Sequence, residues 1–338
     1  MLIYIIIGIL VAGIGVAFYF YAFRFEPSNF KLSEVDIFLR QLGKKAKDKK
    51  DRPFLTILHL SDFHLRENIK GKKLFKFVQG LKDLEPDLLF LTGDLIEKDE
   101  NIPYLIEMLE PLKARYGKYA VFGVHDYYNK SAGEFLKNMV KRKRKYRRKN
   151  DTARLTSELG SLGIKVLRNE KVVLENNGSD IKEIEIIGID DPVIERNNVG
   201  LALGNNSSKP MTVEEKDRVY REKQAEIFKM DDKDFHLLNR EAKLRLAMVH
   251  TPDANTIISL AEEDTDLIFS GHTHGGQMRL PYVGAILTGC RLKARFASGL
   301  FYFKKFVLYV TRGLSEGRYS QFRFYCQPEA SMIRIYEK

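Results

Sequence analysis

Asp266-Leu267-Ile268-Phe269-Ser270-Gly271-His272-Thr273-His274-Gly275-Gly276-Gln277 is the stretch that decides the fold. It opens with a short, mostly apolar run that reads as a buried strand. The run stops at a glycine, and two histidines separated by one residue follow at once. The same grammar recurs upstream. Phe54–Leu60 runs into Asp62-Phe63-His64, and Asp87–Thr92 into Gly93-Asp94. Tyr119–Phe122 runs into Gly123-Val124-His125-Asp126, and Leu244–Val249 into His250. Helical stretches lie between several of these runs, around 72–84, 102–114 and 253–263. Strand then helix, repeated, is an α/β arrangement. In such sheets a ligand site lies beyond the carboxyl ends of the strands, which is where all these polar pieces fall. Shorter runs at 165–168, 171–174, 184–189, 301–303, 306–311 and 331–336 predict a second sheet packed on the first. Leu300–Phe306 reads as a hairpin with a Lys304-Lys305 turn.

The polar pieces hold most of the chain's imidazoles. Of 7 histidines, His64, His125, His250, His272 and His274 lie in them. His59, alone on an apolar strand, reads as a satisfied core residue, and His236, in a charged helical stretch, as a surface one. Asp-x-His at 62–64 and His-x-His at 272–274 bring pairs of donors off one strand end. Manganese, iron and zinc accept such mixed imidazole and carboxylate sets. Two ions about 3.5–4 Å apart can activate a water and clamp phosphoryl oxygens for in-line attack. Glycines at 93, 123, 271, 275 and 276 let the backbone turn close to such ions. A single Gly-Asp or Asp-x-His is a weak signal; the ordered set is a strong one.

Composition sets the bounds. The 338 residues, 44% hydrophobic, suffice for one large domain or two small ones. A net charge of +11 points to polyanionic partners. Cys290 and Cys326 form no disulfide framework and no metal-binding pair, and read as reduced thiols.

Leu2–Phe23 carries no charged side chain. As a helix it spans roughly 33 Å at about 1.5 Å per residue, enough for a bilayer core of about 30 Å. Aromatics crowd its far end at Phe18, Tyr19, Phe20, Tyr21 and Phe23, and basic residues follow from Arg24 to Arg52. The expected organisation is a transmembrane anchor at 1–23, a basic juxtamembrane linker at 24–52, and one catalytic domain at 53–338 on the cytoplasmic side. Two excursions interrupt that domain, at 128–160 and 196–242. The first holds a basic run at 141–149, in which Arg142, Arg144, Arg147 and Arg148 are candidate contacts to an anionic substrate; a solvated helix face is the plain alternative. The second begins as a Gly/Asn/Ser/Pro loop and continues as a charged helix from about Val213, a candidate lid. Nucleic acid ranks below lipid as partner, because beyond Tyr146 no aromatic interleaves the basic run.

These residues resemble the calcineurin-like metallophosphoesterases, from about Phe54 to the C-terminus apart from the excursions. The likeness is strongest to a membrane-associated branch, through Gly271–Gln277, Gly188-Ile189-Asp190-Asp191-Pro192, Leu167-Arg168-Asn169, Val310–Leu314 and Pro328-Glu329. The resemblance implies a four-layer α-β-β-α sandwich behind the N-terminal transmembrane helix. It implies that Asp62, His64 and His274 bind one divalent metal, that Asp94 bridges both, and that His250 and His272 bind the second. It further implies His125 as general acid, oriented by Asp126, and manganese as the first-choice metal, with iron or zinc as alternatives. Val124 departs from the pattern: the family usually has asparagine there, whose amide oxygen binds the second ion. Valine leaves that ion one ligand fewer, which predicts a more exchangeable second metal rather than a degenerate pseudoenzyme. A tethered member facing the bacterial cytoplasm, at the inner membrane, resembles the UDP-2,3-diacylglucosamine pyrophosphatases of lipid A synthesis, whose substrate is a nucleotide-sugar lipid. A membrane phosphodiesterase or phosphatase acting on other phospholipids or envelope polymers is the alternative, and a non-catalytic scaffold using its basic face is the alternative of another class. Oligomeric state is left open.

Overall fold

The computed structural model describes residues 1–41, 52–129, 146–175, 181–204, 243–286, 288–290, 292–317 and 319–337, with Gly133, Arg218, Glu222, Lys223 and 235–237 between them. A seven-stranded sheet is built from β1 (Lys31–Gln41), β2 (Leu55–Leu60), β3 (Leu88–Thr92), β4 (Gly117–Val121), β5 (Ile164–Val166), β8 (Phe235–Leu237) and β15 (Glu329–Glu337). Its order is β5-β4-β3-β2-β15-β1-β8. The second sheet contains β6 (Glu170–Glu175), β7 (Glu183–Ile189), β9 (Lys243–Val249), β10 (Leu267–Ser270), β13 (Gly299–Tyr302) and β14 (Val307–Val310), in the order β13-β14-β10-β9-β7-β6. β2 to β5 run parallel to one another, and so do β7, β9, β10 and β14, whereas β15, β6 and β13 run antiparallel to β2, β7 and β14.

Side-chain parity assigns the layers, because successive residues of a strand face opposite sides. Leu55 and Ile57, Leu88 and Phe90, and Ile184, Ile186, Leu244, Leu246 and Met248 meet between the two sheets. Their alternates Leu58, Leu60, Leu89 and Leu91 face helices α2 (Ile69–Gln79), α3 (Ile102–Leu109) and α5 (Thr152–Ser161). On the far side, Ile187, Ile189, Ala247 and Val249 pack under α6 (Val199–Ala202) and α7 (Ala254–Glu262). The four-layer α-β-β-α sandwich is therefore present, and its strands keep close to their expected bounds, although 165–168 and 331–336 belong to the first sheet, as β5 and β15, and not to the second. A one-turn helix, α4 (Val124–Tyr127), leaves β4 directly. Ahead of everything stands α1 (Leu2–Phe20), apolar and without buried residues, the start of a 27-residue segment long and apolar enough to cross a membrane.

Several expectations need correction. Residues 31–41 are not linker: they form β1, parallel to β15. Beneath the lysines and arginines lies a period-two pattern, with Ile37 and Leu39 fully buried and Val35 packed on the same core. The outward Glu34 and Asp36 pair with Arg334. The excursion at 128–160 ends early, since 152–161 is α5, capped by Asp151 and pinned by Leu155 and Leu159. His236 is in β8, paired with Arg40, and not in a helix. Of the lid helix only Arg218, Glu222 and Lys223 are described, all helical; the rest lies outside the described residues, as do Arg142 and Arg144.

Glu185 of β7 is buried and receives Lys171, Lys243 and Arg245. Burial alone would raise its pKa, but Lys171 and Arg245 hold it down at about 2. A depressed carboxylate contributes stability above its unfolded pKa of about 4.3, lost as pH falls through the folded value. Glu185→Gln should therefore lower Tm near neutrality and converge on the parent as pH drops towards 2. Ile37→Ala should cost about 2–5 kcal/mol in chemical unfolding of the detergent-solubilised chain; a change under about 0.5 kcal/mol would return residues 31–41 to linker status.

Candidate metal centre

The carboxyl ends of β2, β3, β4, β9 and β10 converge, and their loops are stitched together by main-chain bonds. Asp62 N–H donates to Gly93 O at 3.0 Å, His64 N–H to Asp94 O at 2.9 Å, and Gly271 N–H to His250 O at 3.0 Å. The approach is close enough to dictate composition. A Cβ on Gly271 would stand 2.0 Å from Ser61 Oγ, and one on Gly123 2.3 Å from Asp94 Oδ1. Asp62, His64, Asp94, His272 and His274 all have positive φ, between 40° and 67°. L-residues avoid that region, and such strain persists where surroundings over-determine it, typically at functional sites.

Three donor groups result: Asp62, His64 and His274; His64, Asp94 and His125; and Asp94, His250 and His272. His64 and Asp94 each belong to two of them, so the groups form one centre. The tautomers are set from behind. His250 Nδ1 lies 2.6 Å from Thr92 O and His274 Nδ1 2.7 Å from Ser315 O. Each carbonyl can only accept, so each ring turns its Nε2 lone pair inwards. His64 Nδ1 lies 2.9 Å from Glu97 Oε1. Its Nε2 is buried, makes no hydrogen bond among the described residues, and points at Asp94 Oδ2 3.5 Å away. A dry imidazole lone pair facing a carboxylate suits a metal ligand. The residues present fit a pair of divalent ions sharing Asp94.

His125 and Asp126 separate in role. Asp126 accepts N–H bonds from Asp94 (2.8 Å), Leu95 (2.8 Å), Ile96 (3.2 Å) and Gly123 (2.9 Å). Its carboxylate thus holds the β3 loop against α4, and the acid beside the His125 ring is Glu97, whose Oε2 is 3.4 Å from His125 Nδ1. The resemblance implied that Asp126 orients His125; here its carboxylate is taken up by four amides. Burial would raise Glu97, but the His125 and His64 rings outweigh it and hold its pKa well below the usual range. Glu97 was missed in the sequence, although Asp94-x-x-Glu97 on one short loop was a usable signal. Val124 is buried at the first turn of α4, with no donor atom to offer.

Outside the centre, His59 is a core residue as expected, but only half satisfied, since its Nδ1 is buried with no hydrogen-bond partner among the described residues. Its Nε2 meets Thr92 Oγ1 at 2.7 Å, and burial lowers its pKa to about 3. Arg147 and Arg148 are exposed on the segment that returns to the His125 loop, where Asn150 Nδ2 donates to His125 O at 2.9 Å. Other cations lie nearer the ligands. A cavity of about 370 Å³ opens beside His64, lined by Phe23, Arg24, Arg66, Lys70 and Glu316 among others. Arg66 donates to the His64 and Glu316 carbonyls, and Lys70 meets the Glu316 carboxylate. Burial, with Arg323 and Arg66 close by, pushes the Lys70 ammonium down to about 6, so near neutrality the fixed positive charge of this cavity rests on other cations of its lining, Arg24 and Arg66 among them.

A model of the calcineurin-like phosphoesterase family matches residues 55–276, and the chain belongs to that family. The uncharacterized metallophosphoesterase YkoQ of Bacillus subtilis is 30% identical, over 80% of this chain and 81% of its own. The phosphodiesterase YaeI of Escherichia coli is 26% identical, over 84% and 82%. LpxG of Chlamydia muridarum, named a UDP-2,3-diacylglucosamine pyrophosphatase, is 26% identical over 94% and 93%. Family and ligand groups together make this protein a metal-dependent hydrolase.

Glu97→Gln should lower kcat about 10–100-fold, the usual scale for a residue behind a ligand, with thermal unfolding near that of the parent. Asp126→Ala should instead lower Tm by several degrees, since it strands four buried N–H groups. Val124→Asn should raise the metal retained per chain after desalting, read by elemental analysis; no increase would mean position 124 does not face the second ion.

Proposed function

We propose that this member of the family cleaves the diphosphate bridge of a nucleotide-sugar lipid at the bacterial inner membrane, acting as a UDP-2,3-diacylglucosamine pyrophosphatase with its catalytic domain in the cytoplasm. The observation that carries the substrate reading is the cavity beside His64. One wall comes from Phe23 and Arg24, where the apolar N-terminal segment ends, and another from Arg66 and Lys70, next to the ligands. A lipid diphosphate meets both needs: an acyl part held at the bilayer and an anionic bridge within reach of the metals. The relative LpxG, similar over nearly the whole chain, carries that activity in its name.

In this reading Asp62, His64 and His274 hold one ion, His250 and His272 the other, and Asp94 both. The ions, manganese by preference, supply charge neutralisation at the phosphoryl oxygens and a water acidified for attack. The chain's own residues do the rest. Thr92 O and Ser315 O fix the ligand rings, and Glu97 holds His125 with its Nδ1 turned inwards. The opposite nitrogen of that ring is then left for the departing oxygen, so a proton passes from His125 as the P–O bond breaks. Water adds to one phosphorus, and the products are UMP and the sugar-lipid phosphate. The second reading, a phosphodiesterase on other membrane phosphoesters, is favoured by the name of the relative YaeI.

The test is release of UMP by the manganese-loaded full chain from UDP-2,3-diacylglucosamine in mixed micelles. Loss of at least 100-fold in kcat is expected for His125→Ala. Turnover of bis-p-nitrophenyl phosphate with no UMP release would discard the diphosphate substrate and leave the phosphodiesterase. Chelation should abolish both activities, and added manganese should restore them.

A further inference from the structure

The ligand-bearing loop after β10 does not end at the site. It continues into a two-stranded hairpin, β11 (Arg279–Leu280) and β12 (Gly284–Ala285). The hairpin presents its apolar side chains to the outside: Tyr282 is fully exposed, Val283 is 72% exposed, and Ile286 and Leu280 are also exposed. Soluble surfaces seldom gather aliphatic and aromatic groups on one exposed tip without a partner.

The hairpin's position identifies that partner. Its base pairs with the segment 322–325: Phe324 N–H donates to Gln277 O at 2.8 Å and Arg279 N–H to Phe324 O at 3.0 Å. That segment lies against the end of α1. The Phe324 ring is 5.2 Å from Phe18 and 5.7 Å from Tyr21, and Phe322 is 5.7 Å from Phe23. Arg323 N–H donates to Ala22 O at 2.9 Å. Phe18 lies inside the apolar helix, so if α1 crosses a bilayer, a ring stacked on Phe18 stands at or within its boundary. The hairpin base is bonded to that ring's own backbone, and the tip is three residues further, about 10 Å at 3.3 Å per residue. Charge agrees. From Leu267 to Ser315 the sequence contains no aspartate or glutamate, while Lys293 and Arg295 follow the hairpin on the surface. The turn at Ala294–Phe296 packs against β12. Aromatic and aliphatic groups at a tip, cations beside them and no carboxylate suit the face of an anionic bilayer.

We propose that the 279–286 hairpin is a second membrane-contact element, seating Tyr282, Val283 and Ile286 in the interface of an anionic bilayer beside α1. It deepens the lipid-substrate reading and rests on α1 being the anchor. The loop carrying His272 and His274 is then held from both sides at a fixed height above the headgroups.

The chain has no tryptophan, so one introduced residue reports alone. Full-length Tyr282→Trp, Tyr4→Trp and Tyr116→Trp are reconstituted in phosphatidylglycerol-containing vesicles with lipids brominated high on the acyl chain or near its end. Tyr116, exposed just before β4 at the amino ends of the strands, is the water-facing control. Tyr282→Trp should emit at shorter wavelength than Tyr116→Trp and be quenched at least twofold by shallow bromine. Quenching of Tyr4→Trp with no quenching of Tyr282→Trp would overturn the hairpin while leaving the anchor intact. Quenching of neither would overturn both. The readout needs no turnover, so failure of the pyrophosphatase reading shows separately. In the double variant Tyr282→Ser, Val283→Ser, bis-p-nitrophenyl phosphate turnover should be unchanged and turnover of vesicle-embedded lipid substrate should fall about tenfold. Equal turnover of the embedded substrate would count against the proposal.

Discussion

Four acids, Asp62, Asp94, Glu97 and Asp126, are buried together at one sheet edge, and the surrounding structure is arranged around that cost. An ionised carboxylate taken out of water without partners costs more than a domain's whole stability margin. Each acid is therefore compensated in its own way. Asp126 is surrounded by four N–H groups. Asp62 receives the Ser61 hydroxyl and the His272 N–H. Asp94 receives the His125 N–H at 2.8 Å and faces the His250 ring. Glu97 stands between two imidazoles. Amides and imidazole rings solvate these charges but do not cancel them. Divalent ions held by the ligand groups would supply the opposite charge. Metal binding and stability are linked at this edge.

That constraint explains what could be read in the sequence. Donors at the ends of buried parallel strands need tight turns, so Gly93, Gly123 and Gly271 sit beside Asp94, His125 and His272. Strand, glycine and donor together are a local pattern, and local patterns survive in sequence. The strands were legible for a similar reason, since most strand interiors are apolar on both faces, but their division between the sheets was not: 165–168 and 331–336 lie in the first sheet, and 244–249 and 266–270 in the second. β1 was not legible, because the basic stretch from Arg24 to Arg52 around it gave a stronger signal than the alternation of Val35, Ile37 and Leu39, and its partner β15 is almost 300 residues away. Glu97 and Asp126 show the same limit. Both are acids near histidine, and the resemblance named Asp126 as the partner of His125. The direction of a side chain is set by where four amides happen to converge, which is a tertiary fact. Helix α5 was hidden for another reason: the basic run ahead of it drew nearly all of the helix into the excursion.

The route from anchor to metal site passes through one buried guanidinium. Arg323 is fully buried, donates to Ser315 O, Arg312 O and Cys326 O, and lies 3.2 Å from Glu316 Oε1. Ser315 O also accepts from His274, and Glu316 also receives Lys70 at the cavity. The Arg323 amide, at the other end of the residue, is bonded to Ala22 at the foot of α1. A buried arginine is tolerated where every donor has a partner, and removing one partner strands the rest. The foot of the apolar helix, the cavity wall and a ligand's carbonyl therefore cannot shift independently. A flexible tether would bring a hydrolase near a membrane and leave its approach to lipid to chance. Here the foot of α1 enters the same hydrogen-bonded unit as His274, so the end of the apolar helix and the His274 ring are held in fixed register.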